Sequence, residues 1–235
     1  FTKTGPDDLV TLYDKEAEKF IINKIKNQFP NIEIIGEETS FREKKLLENL
    51  NDRLYIAIDP IDGTKNYIKK NDNFCSMISL IYKKRSIAGF IYYPLKRKYV
   101  YSFKKFGSQI YDFDKLRSKT LLLDNSFNFF GTGGTKGIPE NKRKLILKML
   151  NSNFKRKFIG SAGVETLLLA LNKVDFIFHG RVTPWDHSPL DIIIREAGGK
   201  VLMFNDRSEF DLNSSGPILA TKNISFWKFI KNKLI

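Results

Sequence analysis

A single cysteine, Cys75, stands in 235 residues, so the chain can form no internal disulfide and no thiolate cluster. Such sparing use of cysteine fits a reducing compartment, and a cytoplasmic location is the expectation. No apolar run approaches the ~18 residues of a spanning helix. The opening stretch, FTKTGPDDLVT, lacks the basic-then-apolar order of a secretory leader. Internal repeats and low-complexity tracts are absent, as are zinc-finger spacings, a basic zipper and an aromatic RNA-binding signature. What is present is ordinary for a folded chain: 42% hydrophobic and 28% charged residues, which excludes wholesale disorder. At ~150 residues per domain the length makes between one and two domains. A chain of this size buries roughly 70–75% of its unfolded surface and needs no staple to fold.

Acid is the scarcer charge: 26 Asp and Glu against 40 Lys and Arg, a net +14. A surplus of that size suits an anionic partner, whether nucleic acid, an acidic membrane surface or a phosphorylated small molecule. The basic residues are scattered in twos and threes, as in Lys83-Lys84-Arg85 and Lys155-Arg156-Lys157. That scatter favours a solvated surface over a nucleic-acid footprint, and nothing calls for a membrane.

Hydrophobic period predicts an amphipathic helix from Asp14 to Gln28, with Asp14 as N-cap and Pro30 closing it. A short strand over 32–35 ends at Gly36-Glu37-Glu38, and a charged short helix is expected over 43–50. Leu54 to Ile58 reads as a strand stopping at Asp59-Pro60. Ser76–Tyr82 and Ile87–Tyr93 alternate like the arms of a hairpin, followed by a strand over Tyr99–Phe103. The polar stretch 112–120 is the expected boundary, dividing the chain into 1–118 and 119–235. Beyond it come a strand at Leu121–Leu123, a glycine-rich loop at Gly131–Gly137 and a helix from Glu140 to Leu150. Gly160-Ser161-Ala162-Gly163 opens the apolar helix Val164–Leu171, and a strand follows at Asp175–Phe178. A helix over Ser188–Ala197, two further strands and a final helix over Phe226–Lys233 complete the pattern. The first half is helix plus antiparallel sheet; the second alternates strand and helix. Cys75, Met77, Phe20, Phe29 and Phe90 are expected in the core.

Three acidic clusters sit where a strand or loop gives way to a turn: Glu37-Glu38, Asp59 with Asp62, and Asp186. In Asp59-Pro60-Ile61-Asp62-Gly63-Thr64, Pro60 fixes one torsion and Gly63 permits tight geometry. The two aspartates and the Ile61 carbonyl can face one point, and oxygen ligands of that kind suit Mg²⁺. A solvated acidic turn fits the same residues, Glu37-Glu38 alone fits a surface strand end, and Asp186 fits an N-cap.

The order of the pieces resembles the inositol monophosphatase family of Mg²⁺-dependent, lithium-sensitive phosphatases. The resemblance rests on Lys3 with Asp8-Leu9-Val10-Thr11 and Asp14, then Ile35-Gly36-Glu37-Glu38, then Asp59 through Tyr67. Gly89 through Pro94, Gly160-Ser161-Ala162, Pro184-Trp185-Asp186 and Glu196-Ala197-Gly198-Gly199 follow in order, so nearly the whole chain is covered. The implied fold is a layered α/β/α/β/α sandwich of the inositol monophosphatase and fructose-1,6-bisphosphatase type. The implied activity is phosphomonoester hydrolysis of a small phosphorylated polyol or metabolite, by attack of activated water, with two or three Mg²⁺ ions. One ion would lie among Glu37, Asp59 and the Ile61 carbonyl, and a second among Asp59, Asp62 and Asp186. A third, weaker one would lie near Glu37, with Glu38 behind the ligands. The catalytic residues implied are Thr64, which would orient the water, Asp14, which would hold Thr64, and Glu37. Substrate would meet Gly63 and Thr64 through their backbone N–H groups, and Gly160, Ser161 and Ala162 through the second loop. A homodimer is also implied.

Two departures bear on substrate. Where inositol-specific members carry a glutamate seven residues before the Trp-Asp aspartate, this chain has His179, and Asp186 is followed by His187-Ser188-Pro189. His179 and Arg181 are therefore candidates to meet a different leaving group, and His187 to pack or cap. Histidinol phosphate and 3′-phosphoadenosine nucleotides are alternative substrates within the superfamily. An RNA- or protein-binding regulator using the basic surface is the alternative of another class. Family members usually carry a further helix before the position of Lys3, so the expectation is that this helix is absent or the chain incomplete.

Overall fold

The computed structural model describes residues 11–40 and 53–234. The helix expected over 43–50, and Lys3 with Asp8 to Val10, lie outside the described residues. Within them the chain forms two sheets. The first has seven strands in sequential order: β1 (Glu33–Gly36), β2 (Leu54–Asp62), β3 (Cys75–Tyr82), β4 (Arg85–Tyr93), β5 (Lys98–Phe103), β6 (Gly107–Asp112) and β7 (Arg117–Leu121). All neighbours run antiparallel except β1 and β2. The second has five strands in the order β11 (Lys200–Met203), β12 (Ile218–Thr221), β10 (Phe176–His179), β8 (Phe130–Gly134) and β9 (Lys155–Lys157).

Helices separate and flank the sheets. Helices α5 (Ala162–Ala170) and α6 (Pro184–Glu196) pack on each other between them, α6 against β2 to β6 on one side and β11 and β12 on the other. Helix α1 (Leu12–Gln28) lies on β2, while α4 (Glu140–Asn153) and α7 (Ile224–Lys233) back the second sheet. This is the expected α/β/α/β/α sandwich. The middle core joins Cys75, Met77, Ile91 and Val100 to Leu167, Leu190 and Ile192–Ile194; a second core around Phe176, Phe178, Phe226 and Trp227 lies under α4 and α7.

Helix α1 departs from its expected face and start. Thr11, not Asp14, is the N-cap, and Asp14 is the third helical residue of a capping box: each side chain accepts from the other's backbone N–H. The residues α1 buries are Asp14 and Glu18, while Phe20 is 62% exposed and Phe29 57%. Glu18 accepts from the N–H groups of Glu38 at 2.8 Å and Thr39 at 2.9 Å. Those donors open the short helix α2 (Glu37–Ser40) and have no intrahelical partner. Satisfying them fixes the rotation of α1 and turns its aromatic residues outward. Phe90 also misses the core: it faces out from β4 in a chain of ring contacts with Tyr99, Tyr101, Tyr111 and Phe113. Cys75 and Met77 are buried as expected.

The hairpin of β3 and β4 turns on two residues, Lys83 and Lys84, both at positive φ. That is the type I′ twist that suits a two-residue hairpin. The polar stretch 112–120 carries the edge strand β7, and the strand expected over Leu121–Leu123 ends at Leu121. Gly131 and Gly133, expected in a loop, lie in β8. A Cβ on Gly131 would stand 2.1 Å from the Phe176 ring, and one on Gly133 2.1 Å from the Phe178 carbonyl oxygen. Glycine here answers close packing inside a sheet rather than a turn.

Candidate active site

The site begins with a fault in β2. The strand does not stop at Asp59-Pro60 but runs on to Asp62. Asp59 pairs with Met77 and Asp62 with Cys75, so three steps along β2 match two along β3. In a regular strand, positions three apart point to opposite faces. The extra residue of the bulge returns Asp62 to the face of Asp59, and Pro60, which has no N–H to offer the ladder, sits in it. Tyr55, Ala57 and Asp59 share the face that looks toward α6. The Ile61 N–H closes the turn on Asp59 Oδ1 at 3.0 Å.

Helix α6 supplies the third carboxylate. The expected start at Ser188 is too late: Thr183 is the N-cap, Pro184 opens the helix and Asp186 lies in its first turn rather than capping it. Asp59, Asp62 and Asp186 each present an oxygen within 4.8 Å of the others. Among the described residues this is the one cluster of metal-ligating side chains.

The cluster is electrostatically uncomfortable as it stands. Burial, then the charges of Glu37, Asp62 and Asp186, push the Asp59 carboxyl well above the ordinary range. Burial and then the Asp186 charge push Asp62 up to about 7, against the opposing effect of three donors. Those donors are Ser161 Oγ at 2.6 Å, the Gly163 N–H at 2.7 Å and the Ala162 N–H at 3.1 Å, the N-terminus of α5. Ser161 is also the N-cap of that helix, accepting from the Val164 N–H. A divalent cation among the three aspartates would offset their repulsion, and an all-oxygen donor set is the kind that holds Mg²⁺. The residues present therefore fit such an ion.

Glu37, at the start of α2, is half-buried and lies outside the triad, though its charge reaches Asp59. Glu38 is buried behind it. Gly63 takes φ +90°, and a Cβ there would stand 2.7 Å from the Asn73 carbonyl oxygen, so backbone geometry alone demands glycine. It precedes the single-turn helix α3 (Thr64–Ile68). Thr64 Oγ1 lies 3.0 Å from Asp14 Oδ1 and 3.2 Å from the Ile61 carbonyl oxygen. Gly160 precedes the cap of α5, and Asn66 Nδ2 ties α3 to the same loop by donating to the Ile159 carbonyl at 3.0 Å.

His179 ends β10 with both ring nitrogens engaged. Nε2 meets Glu165 Oε2 at 2.6 Å, and Nδ1 meets His187 Nε2 at 2.9 Å. Burial lowers its pKa, but the Glu165 hydrogen bond and charge, with Asp186 and Asp62 beyond, outweigh this and hold it above the ordinary value. His187 is held well below, by burial first and then by the neighbouring His179. The Thr183 N–H donates to His187 Nδ1 at 3.0 Å, so His187 caps its own helix. Arg181 is exposed.

Sequence reasoning missed Glu18, Gly163 and Glu165. Glu18 had a signal, being four residues from Asp14 and so on the same helical face. Gly163 and Glu165 had none, because their partners lie far away in the chain.

A profile of the inositol monophosphatase family matches residues 1–234. Nus factor SuhB of Pasteurella multocida is 31% identical over 242 residues, spanning 99% of this chain and 85% of that protein. Fructose-1,6-bisphosphatase/inositol-1-monophosphatase of Thermotoga maritima is 30% identical over 206 residues, spanning 87% and 75%. Among solved structures, a Thermotoga maritima IMPase matches with a TM-score of 0.80 at 24% identity, covering 99% of this chain and 86% of the other. The extragenic suppressor protein suhB of Bartonella henselae matches with a TM-score of 0.82 at 20% identity, covering 98% and 86%. At those identities the structural likeness speaks for the fold.

Proposed function

Because the chain belongs to the inositol monophosphatase family, we propose that it is a Mg²⁺-dependent phosphomonoesterase acting on a small phosphorylated polyol or metabolite. The observation that carries this reading is the meeting of Asp59, Asp62 and Asp186, which come from two distant elements. Asp59, Asp62, Asp186, Glu37 and the Ile61 carbonyl would hold two or three ions between the halves 1–118 and 119–235. When bound, such ions offset phosphate charge, make water nucleophilic at neutral pH and steady the leaving alkoxide.

The protein's own groups do the positioning. Thr64 Oγ1 donates its hydrogen bond to Asp14 or to the Ile61 carbonyl, which leaves its lone pairs free to accept from a water and aim it at phosphorus. A hydroxyl alone is a poor base; the Asp14 carboxylate makes it competent to pass the proton on. The N–H groups of Gly63 and Thr64 open α3 and are the donors for the ester's phosphate.

The test is phosphate release from a panel of inositol phosphates, histidinol phosphate and 3′-phosphoadenosine nucleotides. Activity on one of them should need Mg²⁺, be suppressed by Li⁺, and fall by about a hundredfold or more in Asp186→Asn. A folded Asp186→Asn protein with full activity would remove the metal assignment. Function as a cytoplasmic homodimer belongs to the same reading, and sedimentation of the purified protein checks the dimer.

A second reading has its own support in the net +14 charge and in the likeness to a protein named Nus factor SuhB. In it the basic surface serves an RNA or protein partner. RNA binding that weakens steeply with salt would favour it; no binding at low salt would end it.

A further inference from the structure

Helices α5 and α6 present matching residues to one imidazole. Glu165 is the fourth residue of α5, and His187 the fourth of α6. His179, at the end of β10, stands between them, 2.6 Å from one and 2.9 Å from the other. The chain of bonds is anchored at both ends. Glu165 Oε1 accepts from Thr132 Oγ1 of β8 at 3.0 Å, and the Thr183 N–H donates to His187 Nδ1 at 3.0 Å. Glu165 and His187 are buried, as is Thr132. Every ring nitrogen has a protein partner, so neither histidine has a nitrogen to spare for substrate.

The position of these bonds gives them a task. The first turn of α5 grips Asp62 through Ser161, Ala162 and Gly163. The first turn of α6 carries Asp186, next to His187. The two carboxylates each bring an oxygen within 4.8 Å of the other's, and like charges that close repel. Something must hold the two helix ends together against that repulsion.

We propose that Glu165, His179 and His187 form a hydrogen-bonded strap that fixes the spacing of the helix gripping Asp62 and the helix bearing Asp186, and so sets the site's affinity for a divalent cation. The three are positioning residues: they touch neither the ion nor the substrate. The proposal rests on the reading of the aspartate cluster as a metal site. Residues behind metal ligands typically change metal affinity by about 10–100-fold when altered.

Calorimetric titration of the purified protein with Mg²⁺ alone tests this, using wild type, His179→Ala, Glu165→Gln and Asp62→Asn. The strap predicts a Kd about tenfold weaker or more in His179→Ala and in the nearly isosteric Glu165→Gln. Free imidazole, added to refill the space left in His179→Ala, should return the Kd most of the way to the wild-type value. Two results overturn the strap while leaving the metal site standing: wild-type Mg²⁺ affinity in both folded variants, or weakening in His179→Ala that imidazole does not reverse. A wild type that binds no Mg²⁺, or an Asp62→Asn protein that binds it as well as wild type, overturns the reading of the site and the strap with it.

Discussion

Replacing Asp62 by asparagine should stabilise the metal-free protein in alkaline solution. In the unfolded chain this carboxyl has its ordinary pKa of 3.8; in the folded one it is pushed up to about 7 by burial and by Asp186. The folded state therefore keeps a proton that the unfolded state releases. Stability from this group is fully present below pH 3.8 and is lost as pH rises through about 7. At ~1.4 kcal/mol per tenfold step in proton affinity, the ceiling on the loss is about 4 kcal/mol. For a chain of this length that is roughly 10 °C in Tm. Asparagine removes the charge but gives up bonds to the Gly163 and Ser161 donors, so a net gain of about 5 °C at pH ~8 is expected. Asp62→Asn should show a shallower fall in Tm from pH ~5 to pH ~8 than wild type. Asp59 and His179, both held high, act in the same direction and His187, held low, acts against them, in wild type and variant alike. The exposed aspartates with lowered pKa, such as Asp72 and Asp206, lose their contribution only at lower pH and do not interfere. Mg²⁺ should raise the wild-type Tm at pH ~8 and raise that of Asp62→Asn by less. Thermal melts in chelator and in Mg²⁺ at the two pH values decide it. A metal-free Asp62→Asn protein with the same pH slope as wild type, or one melting lower than wild type at pH ~8, would refute the reasoning.

Thr64→Val should lower kcat by about a hundredfold while Mg²⁺ affinity persists, which steady-state kinetics beside calorimetry will show. Gly133→Ala should cost more than ~3 kcal/mol, read from the urea midpoint, because its Cβ would strike the Phe178 carbonyl and the backbone sits at φ +103°. Lys83-Lys84→Asn-Gly should raise stability by about 1–2 kcal/mol in the same assay, since both lysines hold positive φ.

What sequence reasoning reached and missed divides along the range of the forces involved. Asp59 to Thr64 is a local run, so its turn, its glycine and its carboxylates could be read directly. The bulge could not, because it is a mismatch of count between β2 and β3 that appears only when the two pair. The strands and helices followed hydrophobic period, and most began or ended within a few residues of expectation. Helix α1 failed on its face: period placed Phe20 inward, but two buried acids had backbone donors to satisfy, and the unmet polar group outranked the ring. The glycines of β8 failed for the opposite reason, since a run of glycine looks like a turn until the Phe176 and Phe178 positions against it are known. His179 stood out as a departure, yet its engagement by Glu165 and His187 depends on three elements meeting.

The two tryptophans occupy unlike surroundings. Trp227 is wholly enclosed in the second core, its indole N–H on the Leu219 carbonyl, far from the carboxylates in the layering. Trp185 is half-buried beside Ile35 and Tyr55, one residue before Asp186. Any movement of that first helical turn changes the quenching of one chromophore and spares the other. The chain thus carries a built-in fluorescent gauge of the turn that bears Asp186 together with an internal reference, and on the reading proposed above ion uptake should register in the emission without an attached dye.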